Sequence, residues 1–277
     1  MTWHITEDAE TFLAAAGDHF AADPARNTML LTVGEGARRR PLESGRYGWW
    51  TEPDGRVTGA FLFTLPHQPV LGPMPAVAAR ALAHVLPDAA GLTGVRGEQE
   101  TAEAFARELC RVSGRTWTTT RRMRLHRLAD LTPPDPAPTG RARVAGADDI
   151  PLAVAWMRHF ARDIGEDADV DFTPNIAPRV AEGRLHLWET DGAGPVSMAS
   201  VSGIVAGQAR VSLVFTPAVR RGRGYAGAVT TAVTRSALDA GAAQVLLFTD
   251  LANPTSNALY QRLGYRPVID HVGLTLT

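Results

Sequence analysis

Between Leu131 and Gly140 the chain reads Leu-Thr-Pro-Pro-Asp-Pro-Ala-Pro-Thr-Gly. Four prolines in ten residues remove four backbone donors and fix four φ angles, so the stretch suits neither a helix interior nor a central strand. It is expected to run extended and fairly stiff, as an interdomain linker does. The 277 residues thereby fall into two halves of roughly 130 residues, an ordinary domain size. The division predicted is a first domain over 1–131, a linker over 132–140 and a second domain over 141–277.

The second half alternates helix and strand signals. Asp148 and Asp149 are placed to cap a helix from Ile150 to Ile164, whose Leu152, Ala155, Trp156 and Phe160 follow helical spacing. A helix near Asn175–Glu182 comes next, then strands over 183–189, 194–204 and 209–216, a helix over 223–240, a strand over 244–249, a helix over 257–263 and a strand-like end. The first half gives a fainter version of this order. Helices are expected over 9–20, 76–86 and 101–112, with strands over 47–51, 56–64, 90–95 and 116–125. Such alternation predicts an α/β fold, a mixed sheet flanked by helices, built twice in tandem as a diverged structural repeat.

Composition excludes several classes. A net charge of -1 gives no field drawing the chain onto nucleic acid or an anionic membrane. The acidic N-terminus lacks an apolar targeting core, and no apolar run reaches the ~18 residues of a membrane span. One cysteine, Cys110, cannot form an internal disulfide, and its helical setting suggests a packed thiol. The chain therefore reads as soluble and cytoplasmic, with a homodimer left open. All 28 basic residues are Arg, which a GC-rich genome explains. No histidine spacing suggests a metal.

The chemistry is concentrated in Val211-Ser-Leu-Val-Phe-Thr-Pro-Ala-Val-Arg-Arg-Gly-Arg-Gly-Tyr-Ala-Gly227. An apolar strand ends at Thr216, Pro217 stops it, and Gly222, Gly224 and Gly227 open the way for close backbone approach. The helix that follows offers unpaired N–H groups and its positive dipole end, with Arg220, Arg221 and Arg223 alongside. A pyrophosphate suits such a site. A P-loop is excluded because the chain has no Lys. Gly222-Arg-Gly-Tyr-Ala-Gly227 matches dinucleotide-loop spacing, but it lies late in the chain, and Asp239 precedes the next strand instead of ending it.

Arg221-Gly-Arg-Gly224-Tyr-Ala226 resembles the Arg-x-x-Gly-x-Gly/Ala signature of the GNAT superfamily of N-acetyltransferases. Downstream, Asn253-Pro-Thr-Ser-Asn257-Ala-Leu-Tyr260-Gln-Arg-Leu-Gly264-Tyr265 is similar to the family's Asn-x-x-x-Asn/Ala-x-x-x-Tyr-x-x-x-Gly-Phe/Tyr segment, with the tyrosine one place early. The resemblance implies acetyl-CoA as cosubstrate, no metal, and direct attack by a primary amine, read here as that of a small molecule, with a protein amine as the alternative. It implies that the backbone of Val214, Phe215 and Thr216 pairs with the pantetheine amides, one N–H there holding the thioester carbonyl. Arg221 and the backbone across Gly222, Arg223, Gly224, Tyr225, Ala226 and Gly227 would hold the pyrophosphate. Asn253 would bind the pantetheine arm, and Tyr260 would protonate the departing thiolate.

The family's usual strand carboxylate is missing from Ala209–Thr216, so the base stays open among Asp250, Glu189 and His159; Ser212 is a poor base. That gap motivates the alternative of a non-catalytic acyl-CoA sensor or scaffold. Five carboxylates between Asp163 and Asp171 are either a solvated loop or an acidic lip for a cationic acceptor. At the matching place the first half has Thr64-Leu-Pro-His-Gln-Pro-Val-Leu-Gly-Pro-Met-Pro75, without the signature, and Phe105 in place of the tyrosine. That half is expected to have lost CoA.

Overall fold

The computed structural model describes residues 1–40, 44–86 and 91–277. Two compact units emerge, one of Met1–Leu125, Thr249–Asn253 and Pro267–Thr277, the other of His126–Phe248 and Pro254–Arg266.

The first unit contains strands β1 (Thr2–Thr6), β2 (Gly45–Thr51), β3 (Val57–Thr64), β4 (Val70–Leu71) and β5 (Gly94–Glu98), with helices α1 (Ala9–Ala15), α2 (Gly17–Ala22), α3 (Thr28–Arg39), α4 (Ala76–Val85) and α5 (Gln99–Ser113). β6 (Trp117–Leu128) follows α5, and most of the last strand, β12 (Tyr265–Leu276), also packs in this unit. The strand order is β1-β2-β3-β4-β5-β12-β6. β12 runs antiparallel to β5 from His271↔Glu98 to Thr275↔Gly94. The chain's final residues thus complete the sheet of the unit that contains its first ones.

α5 shows how the pattern folds. Thr101, Ala102, Phe105, Ala106 and Leu109 are buried along one face, and Gly114 ends the helix in the left-handed conformation, φ 71°. That face meets Ala79, Leu82 and Ala83 of α4 and the sheet residues Phe61, Leu71, Val95 and Leu274 in one core. The strand expected from Ala90 begins at Gly94; Ala90 itself lies outside the described residues. The short strands β1 and β4 were too brief to show a pattern, and α3, whose Leu30, Leu31, Gly34 and Ala37 line its buried face, was not expected from sequence.

The second unit contains β7 (Arg141–Val144), α6 (Ile150–Asp163), α7 (Thr173–Ala181), β8 (Leu185–Thr190), β9 (Gly194–Val201), β10 (Gln208–Phe215), α8 (Tyr225–Asp239), β11 (Gln244–Asp250) as far as Phe248, and α9 (Pro254–Arg262). Its strand order is β11-β10-β9-β8-β7, antiparallel except for the parallel pair β10–β11. Val211, Val245 and Leu247 meet Val229, Val233 and Tyr260 under α8 and α9. On the opposite face Leu185, Leu187, Met198 and Phe215 meet Ala153, Trp156, Met157 and Ile176 of α6 and α7. Asp149 caps differently from expectation. Its carboxylate accepts from Gly146 N at 2.8 Å and from Arg143, closing a 3₁₀ turn ahead of α6 and not the helix itself. The Arg143 guanidinium accordingly holds the Asp149 carboxyl below the usual carboxylate range.

The proline-rich segment is packed against this second unit. Thr132 N donates to Leu263 O at 3.1 Å and Ala129 N to Gly264 O at 3.0 Å. At the other end Trp188 Nε1 donates to Thr139 O at 3.0 Å. Gly264 permits this approach, since a Cβ there would lie 1.8 Å from Asp130 O. Among the described residues no helix is long and apolar enough to cross a membrane.

Candidate acyl-donor site

β10 and β11 begin as ordinary parallel neighbours. Their ladder runs from Gln208↔Gln244 to Val211↔Leu247 and stops there, although the strands continue to Phe215 and Asp250. The cause lies within β10. Leu213 has φ 52°, a left-handed value costing a non-glycine residue about 1–2 kcal/mol, and the register against β9 shifts between Ser212 and Phe215. A β-bulge of this kind bends its strand and frees backbone groups. Val214 then packs on the α8–α9 core, whereas Phe215 packs on the α6–α7 core.

The strand end is fixed from two sides. Ser197 Oγ donates to Phe215 O at 3.0 Å and sits 2.8 Å from Thr216 Oγ1. With the Ser197 proton used on Phe215, the Thr216 hydroxyl is the donor in that second contact. Arg221 Nε donates to Thr216 O at 2.9 Å, and a terminal nitrogen of the same guanidinium pairs with Asp163. The carbonyls of Phe215 and Thr216 each therefore already accept a hydrogen bond.

Past Pro217 the chain makes a 3₁₀ turn over Ala218–Arg220 and then enters α8. Gly222 and Gly224 take φ values of 76° and 81°, which glycine adopts without cost. Arg221, Gly222, Arg223 and Gly224 are exposed. Gly224 is the N-cap and provides no side-chain capping bond, so the first-turn N–H groups of a fifteen-residue helix face outward unpaired within the helix. Ala226 is half-buried and Tyr225 and Gly227 are buried. The proline segment rests on this turn. A Cβ at Gly224 would lie 3.6 Å from Pro138, and one at Gly227 would lie 3.2 Å from both Pro134 and Leu259.

Tyr260 lies on α9, 8% exposed, within the same core that Val214 packs against. Its ring meets Tyr265 edge-on at 6.1 Å. Tyr265 itself is anchored by Thr234, 2.6 Å from its hydroxyl. Burial, with Tyr265 adding to it, pushes the Tyr260 phenol well above its ordinary value, so it stays protonated across neutral pH. Asn253 occupies the turn before α9, its N donating to Asp250 O at 3.0 Å.

Residues 205–272 match the sequence family described as FR47-like protein. In overall structure the chain is similar to an acetyltransferase of the GNAT family from Colwellia psychrerythraea, at TM-score 0.61 and 13% identity, covering 100% of this chain and 99% of that one. A GCN5-related N-acetyltransferase from Sphaerobacter thermophilus gives 0.63 and 19%, covering 99% and 95%. A tandem GNAT protein from the clavulanic acid biosynthesis pathway gives 0.62 and 13%, covering 100% and 98%. No curated protein matches the chain in sequence. The chain has the GNAT fold.

Within this GNAT fold the candidate bases separate. Glu189 is held by Arg143 at 2.6 Å, and Ser212 faces Ser200 at 3.0 Å. Asp250 accepts from Ala252 N at 2.8 Å. His159 is exposed on α6, with its ring 6.3 Å from that of Phe215. Of the acidic run, Asp167 and Asp171 accept from Asp169 N and Thr173 N, and Asp163 is the partner of Arg221. Cys110, half-buried, has its thiol pushed up by burial, which suits packing and not nucleophilic attack. Among the described residues no group of His, Cys, Asp or Glu could hold a metal.

Sequence reasoning missed Leu213, Ser197 and the roles of Pro134, Pro138 and Asp163. Only Ser197 carried a signal, a hydroxyl inside the apolar run Val196-Ser-Met-Ala-Ser-Val201.

Proposed function

We propose that the chain is an N-acetyltransferase that moves an acetyl group from acetyl-CoA to a primary amine, most readily that of a small molecule, with residues 141–277 as the catalytic half and 1–131 as a half that has lost CoA. The observation carrying this reading is the parallel ladder that stops at Val211↔Leu247 beside a bulged strand and a glycine turn at a helix N-terminus.

Each donor part has a residue suited to it. Backbone N–H groups from Gly222 to Gly227 hold the diphosphate, aided by the helix dipole. The pantetheine arm runs beside β10, pairing with main chain around Val214, since the next two carbonyls are already engaged. Asn253 binds the arm farther along. A backbone N–H at the strand end holds the thioester carbonyl as its oxygen gains charge. The neutral amine attacks that carbon, and the C–S bond then breaks. Tyr260 gives its proton to the leaving sulfur, which is a stronger base during bond breaking than as free thiolate. His159, beside Phe215 on the α6 face, takes the proton from the attacking ammonium, directly or through water.

Calorimetric titration of the full chain with acetyl-CoA tests the reading, with Gly224→Asp as control. Micromolar binding that the control loses is the expected result. Absence of binding in both chains would leave only the fold in common with acetyltransferases. A sensor that binds without turnover is separated by an amine-acetylation assay: a catalytic chain turns over and loses that turnover in Tyr260→Phe, whereas a sensor binds acetyl-CoA and acetylates nothing.

A further inference from the structure

We infer that Asp163 competes with the donor's diphosphate for Arg221, so that a resident carboxylate sets how tightly the donor binds. This rests on the reading of residues 217–227 as the diphosphate turn.

Arg221 has two attachments of different kinds. Its Nε donates to Thr216 O at 2.9 Å, which ties the root of the guanidinium to the strand end. A terminal nitrogen pairs with Oδ2 of Asp163, the last residue of α6. The two side chains are 53% and 47% exposed, so water screens the pair and its partner is easily exchanged. A diphosphate carries more charge than a carboxylate and offers several oxygens to the guanidinium fork. With Nε left on Thr216, the terminal nitrogens can change partners while the strand end stays fixed.

The position of Arg221 in the turn supports the exchange. It directly precedes Gly222 and Gly224, whose positive φ values turn the following N–H groups outward at the start of α8. An anion bound to those N–H groups would sit on the same turn that carries this guanidinium. Leaving Arg221 would return Asp163 to an uncompensated charge at the head of the run with five carboxylates between 163 and 171. Asp163 is thus a positioning residue. It acts through Arg221 and does not itself touch the donor.

The experiment is calorimetric titration with CoA of the full chain, of Asp163→Asn, of Arg221→Gln and of the double variant. Asp163→Asn should bind CoA about two- to fivefold more tightly, the size of an exposed ion pair released. Arg221→Gln should bind more weakly than the parent, and Asp163→Asn should have no effect in its presence. Asp163→Glu, which keeps the pair, should restore the parent affinity. A tighter complex is not what a merely loosened fold produces, so the sign separates positioning from structural damage. Unchanged or weaker binding by Asp163→Asn overturns the inference. Equal tightening in the Arg221→Gln background also overturns it, because the carboxylate would then act through space. If the parent chain binds no CoA, the reading of the turn fails, and the inference fails with it by a distinguishable route.

Discussion

The turn after β4 and the turn after β10 occupy matching places in the two units, and they treat their backbone donors in opposite ways. After β4 the chain reads Gly72-Pro-Met-Pro75. Two of the four residues have no N–H, and Gly72 N is spent on Ala60 O at 2.9 Å. After β10 the residues from Gly222 to Gly227 contain no proline, two glycines hold positive φ, and the turn is exposed. The strand ends differ as well. β5 ends at Glu98, 5% exposed, whose carboxylate is gripped by both Nε and a terminal nitrogen of Arg26. On the reading proposed above, the first half lost its anion site less by deleting a charged residue than by consuming the main-chain donors.

The helices that follow sharpen the contrast. Tyr260 on α9 and Phe105 on α5 are both buried in the cores of their units, and only one has a hydroxyl. Tyr260→Phe should lower kcat with acetyl-CoA and an accepted amine by about a hundredfold or more, the usual worth of a positioned acid. CoA affinity measured by calorimetry should stay the same. Phe105→Tyr should leave kcat where it was. Equal kcat in the parent and Tyr260→Phe would make the two helices alike and remove the tyrosine from the chemistry.

The next largest effect concerns the turn itself. Gly224→Val places a β-branched residue at φ 81°, with a Cβ 3.6 Å from Pro138. The strain of about 1–2 kcal/mol falls on the conformation that binds the donor, so acetyl-CoA should bind about tenfold more weakly. His67→Ala, in the turn before β4, should leave that affinity unchanged. Sensitivity at His67 and tolerance at Gly224 would reverse the assignment of the two units.

Much of this contrast was legible in the sequence, because glycine and proline act through the backbone, and their effect does not depend on what packs against them. The turn at 217–227, the prolines of 65–75, α8 and β10 all follow from local chemistry of that kind. Leu213 did not, since nothing about a leucine announces a left-handed φ; the bulge is imposed by the pairing of β10 with β9. The ion pairs Arg26–Glu98 and Arg221–Asp163 join residues 72 and 58 positions apart, a separation at which sequence pattern carries no information. The proline segment was legible as stiff and extended, but its seat on Gly224 and Gly227 depends on where α8 and α9 place those glycines.

Glu98→Gln tests the first unit alone. Removing one member of a buried pair strands the other, at a cost of about 3–5 kcal/mol when both are fully buried. Arg26 is 38% exposed, so water recovers part of that, and a loss of about 2 kcal/mol is expected in urea unfolding. Acetyl-CoA affinity should not move. A fall in affinity larger than twofold would mean that the Arg26–Glu98 pair contributes to donor binding after all.

The smallest effect is a difference in acid sensitivity. Each unit holds a histidine whose imidazole is pushed below its ordinary value: His186 by burial alone, and His19 by burial first and then by the charge of Arg26, with Asp23 opposing. The folded state thus disfavours the proton that the unfolded chain accepts near pH ~6.5. Stability is complete above that pH and declines as the pH falls below it, because the unfolded state then binds more protons than the folded one. Between pH 7 and 5.5 the Tm should fall, and His186→Leu and His19→Leu should each flatten part of that fall. If His186→Leu flattens it and His19→Leu does not, the second unit is the one that opens first in acid. The strain at Leu213 favours that result, since a left-handed leucine inside β10 lowers the cost of opening this unit.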